Sequence, residues 1–88
     1  ILRLKVPGLE ARFATEIVTF VQRVRAEDDL VKRPGIAETL DWASALVALG
    51  QASVTRDAVE QTLGFLVKDA QDLQAVQGPR LDTLLDRG

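Results

Sequence analysis

The sequence contains no cysteine, no histidine, no methionine and no tyrosine. Without cysteine there is neither a disulfide framework nor a thiolate zinc site. Without histidine the chain lacks the commonest general base, the commonest neutral-pH switch and the imidazole metal ligand. Ser44 and Ser53 therefore have no partner for a Ser-His-Asp arrangement. Only carboxylate-based metal or acid–base chemistry stays open. The phosphate-loop pattern G-x-x-x-x-G-K-S/T and the dinucleotide pattern G-x-G-x-x-G are both missing.

Aromatics are scarce, with three phenylalanines and one tryptophan. A core built from Leu, Val, Ile and Ala suits packed helices. A basic excess is lacking too: 11 basic residues face 13 acidic ones, for a net charge of −2. No basic stripe is visible, which argues against a nucleic-acid partner. The longest uncharged stretch, Trp42 to Thr55, is broken by Gly50, Gln51 and Ser53 and is too short to span a bilayer. No signal-peptide pattern is present, so a reduced, cytoplasmic setting without membrane contact is the default expectation. A chain without methionine that opens on Ile1 is expected to be a piece of a longer protein.

What the chain does have is helical periodicity. Its 88 residues are 47% hydrophobic, enough for the core of one small domain. Residues 1–8 alternate weakly and end at Pro7-Gly8, which reads as an extended linker from a preceding domain, with the helical domain over 9–88. The three-to-four spacing of Leu9, Phe13, Ile17, Phe20, Val21 and Val24 predicts a first helix over about 9–25. A second helix is expected over about 34–49, ended by Gly50 as a C′ residue. It carries two apolar faces, Ile36/Leu40/Ala43/Val47 and Trp42/Leu46/Leu49. Both Leu40 and Trp42 are therefore expected to be largely buried. Thr55 caps a third helix, with Val54 and Val59 as a hydrophobic staple. Gly64 lies inside it, at a cost of roughly 1 kcal/mol relative to alanine or in exchange for a close helix contact. Asp69 caps a fourth helix over about 70–77, or else the third continues. Gly78-Pro79 breaks the chain before a last short helix over about 79–85 that lays Leu81, Leu84 and Leu85 on the core. The expected fold is an all-α bundle of four to five helices.

The densest local signal is the run Lys32-Arg33-Pro34-Gly35-Ile36-Ala37-Glu38-Thr39-Leu40-Asp41-Trp42-Ala43. A residue before proline is pushed out of the α region, and proline fits the first helical position. The pattern places Arg33 at the N-cap and Pro34 in the first turn. Lys32 and Arg33 would then flank unpaired backbone N–H groups, a setting that favours anions; as an ordinary helix start they are two solvated cations. Glu27, Asp28 and Asp29 form an acidic cluster, but consecutive residues converge poorly on one ion, so a solvated loop rather than a metal site is expected. Glu38 and Asp41 share a helical face and read as an exposed stripe before a paired carboxylate. Trp42 reads as a core anchor.

The segment Val31 to Gly50, with Ala37-Glu38-Thr39-Leu40-Asp41-Trp42-Ala43 at its centre, resembles the C-terminal helical domain of MoxR-type AAA+ ATPases, nearest the subgroup linked to carbon-monoxide-dehydrogenase maturation. Lys5-Val6-Pro7-Gly8-Leu9, Phe20-Val21-Gln22-Arg23-Val24-Arg25 and Thr62-Leu63-Gly64-Phe65-Leu66-Val67-Lys68 agree with it, so the resemblance covers roughly 4–73. It implies a small lid that folds over ATP and Mg2+ bound by a separate AAA+ core, helps to form a homo-hexameric ring and serves chaperone-like remodelling, with von Willebrand A-domain partners. It also implies a sensor arginine at the start of the lid's second helix. In the family's pattern the arginine follows a proline, whereas here Arg33 precedes Pro34, a departure from that pattern; the candidates are Arg33 first and Lys32 second. The fragment alone is not expected to hydrolyse ATP. A free-standing helical interaction module with an exposed apolar groove is the alternative reading. A DNA-binding helix-turn-helix over Val54 to Lys68 is opposed by the acidic balance.

Overall fold

The computed structural model describes residue 6 and residues 8–86. Residues 1–5 and 7 of the 1–8 linker reading, and residues 87–88 of the 9–88 domain, lie outside the described residues. Among the described residues five helices follow in order: α1 (Ala11–Arg25), α2 (Ile36–Ala48), α3 (Arg56–Leu66), α4 (Ala70–Val76) and α5 (Pro79–Asp86). The described residues contain no strand. The radius of gyration, 12.0 Å, equals that of a packed chain of this length, so no helix stands apart from the bundle.

The core is aliphatic, as the composition requires. From α1 it takes Phe13, Ile17, Phe20, Val21 and Val24. From α2 come Trp42, Ala43 and Leu46, and from α3 Ala58, Val59, Leu63 and Leu66. Val76, Leu81 and Leu84 close it from the two short helices. Val6 is also buried, so the core begins ahead of α1. The α2–α3 hairpin is the most extensive pairing, and α5 reaches α1, α3 and α4. At the centre the Trp42 ring sits 5.3 Å from that of Phe20, tilted by 40°. Its indole N–H donates to Thr62 Oγ1 at 2.8 Å, and that hydroxyl donates to the Ala58 carbonyl at 2.7 Å. The buried polar pair is thus satisfied, as buried hydroxyl and indole groups must be.

The punctuation follows the residues. Thr55 Oγ1 accepts from the Ala58 amide at 3.2 Å, and Asp69 Oδ1 accepts from the Gln71 and Asp72 amides at 2.9 and 3.1 Å. Asp69 thus starts a new helix rather than extending α3. Gly50 and Gly78 adopt φ of +75° and +74°, the left-handed conformation that ends a helix at little cost in glycine.

Two expectations need correction. First, α2 starts at Ile36 with Gly35 as its N-cap, not at Pro34 with Arg33 as cap. The cause is local: Glu38 Oε1 accepts the Gly35 amide at 2.8 Å, so the first turn is closed from Glu38 and leaves Pro34 outside. Second, neither of the two apolar faces of α2 is covered throughout: Leu49 is 54% exposed at the end of one, and the other is open at its start. Trp42 and Leu46 are buried, whereas Leu40 and Val47 are half-buried and Ile36 is 77% exposed. Among the described residues no element covers the Ile36 end.

Gly64 makes no close helix contact either. A Cβ built there meets nothing within 4 Å. Gly64→Ala is therefore expected to raise the urea midpoint, through a gain of up to about 1 kcal/mol from helix propensity and a less flexible unfolded chain. A lowered midpoint would show a steric role at this position.

Candidate functional site

The two candidate sensors lie in the connection between α1 and α2. α1 ends with Arg23 and Arg25 in its last turn, cations suited to the negative end of a helix. Arg33 adds to this end by folding back. Its Nε donates to the Arg25 carbonyl at 2.8 Å and its Nη2 to the Glu27 carbonyl at 3.3 Å, with Asp28 at 3.9 Å. Arg25 returns the contact, its Nη1 donating to the Pro34 carbonyl at 2.7 Å. The guanidinium expected at the start of α2 thus caps the end of α1. Lys32 is exposed and makes no ion pair among the described residues. The two candidates are adjacent in the loop, yet only Arg33 is engaged by carbonyl oxygens.

Two residues that the sequence did not single out hold this loop in place. Asp72, on the short α4, is 1% exposed. One of its carboxylate oxygens accepts the Val31 amide at 2.7 Å and the other the Lys32 amide at 2.7 Å. Arg80, on α5, donates Nη1 to both oxygens of Asp29 at 2.9 Å, and its Nε lies 3.6 Å from Glu27. The hydrogen bond from Arg80 holds the Asp29 carboxyl below the usual carboxylate range and pushes the guanidinium up in return. The acidic cluster is therefore spread over arginines: Glu27 and Asp29 on Arg80, Asp28 on Arg33.

Glu38 and Asp41 likewise serve separate partners. The Gly35 amide, more than any other group, holds the Glu38 carboxyl below its ordinary range, helped by the charges of Lys32 and Lys68. Asp41 faces Lys68 at 3.5 Å. The signs for stability follow directly. Asp29 and Glu38 both bind protons less readily folded than unfolded, so their contribution is complete above the ordinary carboxylate pKa of about 4 and is lost as the pH falls through the lower folded values. Both groups meet solvent, so the effect is small. The urea midpoint is expected to hold from neutrality to about pH 5 and then fall, and Arg80→Gln is expected to flatten the Asp29 part of that fall. An acid limb unchanged by Arg80→Gln would remove Asp29 as a contributor.

Beside this loop, α1 and α2 leave an apolar trough of about 360 Å³ whose walls include Val18, Val21, Ile36 and Leu40. Among the described residues Arg25 is the only charged side chain lining it. A second hollow of about 310 Å³ lies between α1, Val54 and Leu85. Its charged groups are already tied to backbone: Glu16 accepts the Val54 amide at 2.8 Å and Arg23 donates to the Leu84 carbonyl at 2.8 Å.

Among the described residues no His/Cys/Asp/Glu group is arranged to hold a metal ion, and no helix is long and apolar enough to cross a membrane. No family model, no curated protein and no solved structure matches the chain.

Proposed function

We propose that this chain is the helical lid of a MoxR-type AAA+ ATPase that acts in the cytoplasm, closing over ATP and Mg2+ held by a core domain elsewhere in the parent protein. The observation that carries the reading is the Val31–Gly50 run. Its Ala37–Ala43 block lies wholly within α2, with Trp42 at the centre of the core and the Lys32-Arg33 pair exposed in the loop just before. The five-helix, all-α architecture agrees with such a lid. Fold agreement alone carries no function, so the weight rests on that run.

In this reading Arg33 has two sets of acceptors. In the conformation described it donates to the carbonyls at the end of α1. In the closed lid it would turn to phosphate oxygens, which a guanidinium can hold through two parallel N–H groups. Lys32 would add a point charge beside it. Neighbouring subunits of a homo-hexameric ring and a von Willebrand A-domain protein are the partners this role entails, with remodelling of another protein as the outcome.

The test is a pair of substitutions in the full-length parent. Arg33→Ala is expected to slow ATP turnover about tenfold or more while changing ATP affinity only a few-fold, because such a cation mainly stabilises charge that develops during transfer. Lys32→Ala is expected to cost less. Wild-type turnover in both variants would remove this loop from the nucleotide site, and a parent without an ATPase core would end the lid reading. The second reading, an interaction module without a nucleotide role, is favoured by one observation, the open trough between α1 and α2.

A further inference from the structure

We infer that the trough between α1 and α2 is a docking site for an amphipathic helix whose apolar face is bordered by a carboxylate at the Arg25 end. The inference rests on the trough's lining and holds whether or not the chain is an ATPase lid.

The walls supply the apolar half of the argument. Val18 is 39% exposed and Ile36 77%, although Ile36 falls on an apolar face of its helix. Val21 and Leu40 form the floor with them. Scattered apolar residues on a surface are ordinary, but these four are contiguous and line one cavity. The trough runs beside residues 18–25 of α1, about 10 Å of helix at 1.5 Å per residue. That length suits about two turns of a third helix, anchored at i, i+3 or i+4, and i+7.

The charge pattern supplies the other half. Arg25 stands at the end of the trough near the loop, and its Nη1 donates to the Pro34 carbonyl. That bond satisfies a donor without neutralising the charge, and no carboxylate forms an ion pair with Arg25 among the described residues. The remaining polar lining, Gln22 and Thr39, is neutral. An occupant bearing a carboxylate at this end is attracted, and a basic one is repelled.

A second copy of the chain fits less well. The five helices direct their apolar stripes into their own core. Among the described residues the other exposed large apolar side chains are Val31, Leu49 and Phe65, and two-fold pairing through the trough would bring one Arg25 guanidinium toward the other.

The experiment titrates the 15N-labelled chain with two synthetic helical peptides. Both carry leucines at i, i+3, i+4 and i+7; one ends in glutamates and the other in lysines. Amide shifts are expected to concentrate at Val18, Val21, Ile36 and Thr39, with the glutamate peptide bound several-fold more tightly. That preference should shrink as salt is raised. Ile36→Lys, at a position too exposed to matter for folding, is expected to weaken the glutamate peptide about tenfold or more. Arg25→Glu is expected to reverse the order of the two peptides. If Arg25→Glu does not fold, the salt dependence of the wild-type preference decides the charge half alone. Equal binding of both peptides at all salt concentrations, shifts confined to other surfaces, or full affinity in Ile36→Lys would each overturn the proposal. So would shifts of the same four amides on simple dilution, which would identify a second copy as the occupant.

Discussion

Trp42→Ala is expected to leave the chain largely unfolded under conditions where the wild type is native. The indole is fully buried, packs on Phe20 and spends its N–H on Thr62. Truncating a buried aromatic residue costs about 3–5 kcal/mol. A domain of this size has a total stability near the low end of about 5–15 kcal/mol. At a urea dependence of roughly 1 kcal/mol per molar, the midpoint should fall by about 3 M or vanish. Trp42→Phe separates packing from hydrogen bonding. It keeps much of the ring stacking and leaves Thr62 satisfied through Ala58, so a loss of only about 1–2 kcal/mol is expected. Val31→Ala, at a residue 65% exposed, serves as the control and should change the midpoint little. A Trp42→Ala chain with a near-native midpoint would mean that the centre of the bundle is not where α1, α2 and α3 meet.

The second large effect is expected at Asp72. Its buried carboxylate accepts two consecutive loop amides, from residues 41 and 40 positions away in the chain. Hydrogen bonds to a charged acceptor contribute about 1.5–3 kcal/mol each. Asp72→Ala removes both and is expected to destabilise the chain by about 3–6 kcal/mol. It should also speed hydrogen exchange at the Val31 and Lys32 amides. Asp72→Asn retains one acceptor oxygen of the two and should protect one amide while exposing the other. Native exchange rates at both amides in Asp72→Ala would show that the loop is held from elsewhere, with Leu30 and Arg80 the next residues to test.

The contrast between these two sites shows what the sequence could reveal. Trp42 was legible because its place in a three-to-four pattern depends on its own helix. The caps at Thr55 and Asp69 and the breaks at Gly50 and Gly78 were legible for the same reason, since cap and capped groups are close neighbours in sequence. Asp72 was not, because nothing near it records that its partners are Val31 and Lys32. Arg80 faces the same difficulty with Asp29, 51 positions away. Periodicity named Ile36 and Leu40 as one face of α2, but it says nothing about whether another element covers that face. The pre-proline rule correctly kept Arg33 out of the helix. It did not foresee that Glu38 would move the helix start to Ile36, nor that Arg33 would turn back to α1.

The same long-range contacts govern when this chain can complete its fold. Helices of seven and eight residues such as α4 and α5 have little stability in isolation. They nevertheless supply Asp72 and Arg80 to the loop, and Leu84, whose carbonyl accepts from Arg23 at the end of α1. During synthesis the contacts that Arg23, Val31 and Asp29 make with Leu84, Asp72 and Arg80 are therefore expected to wait until those late residues have emerged. The loop end of the bundle is then expected to close last, after α1, α2 and α3 have met around Trp42.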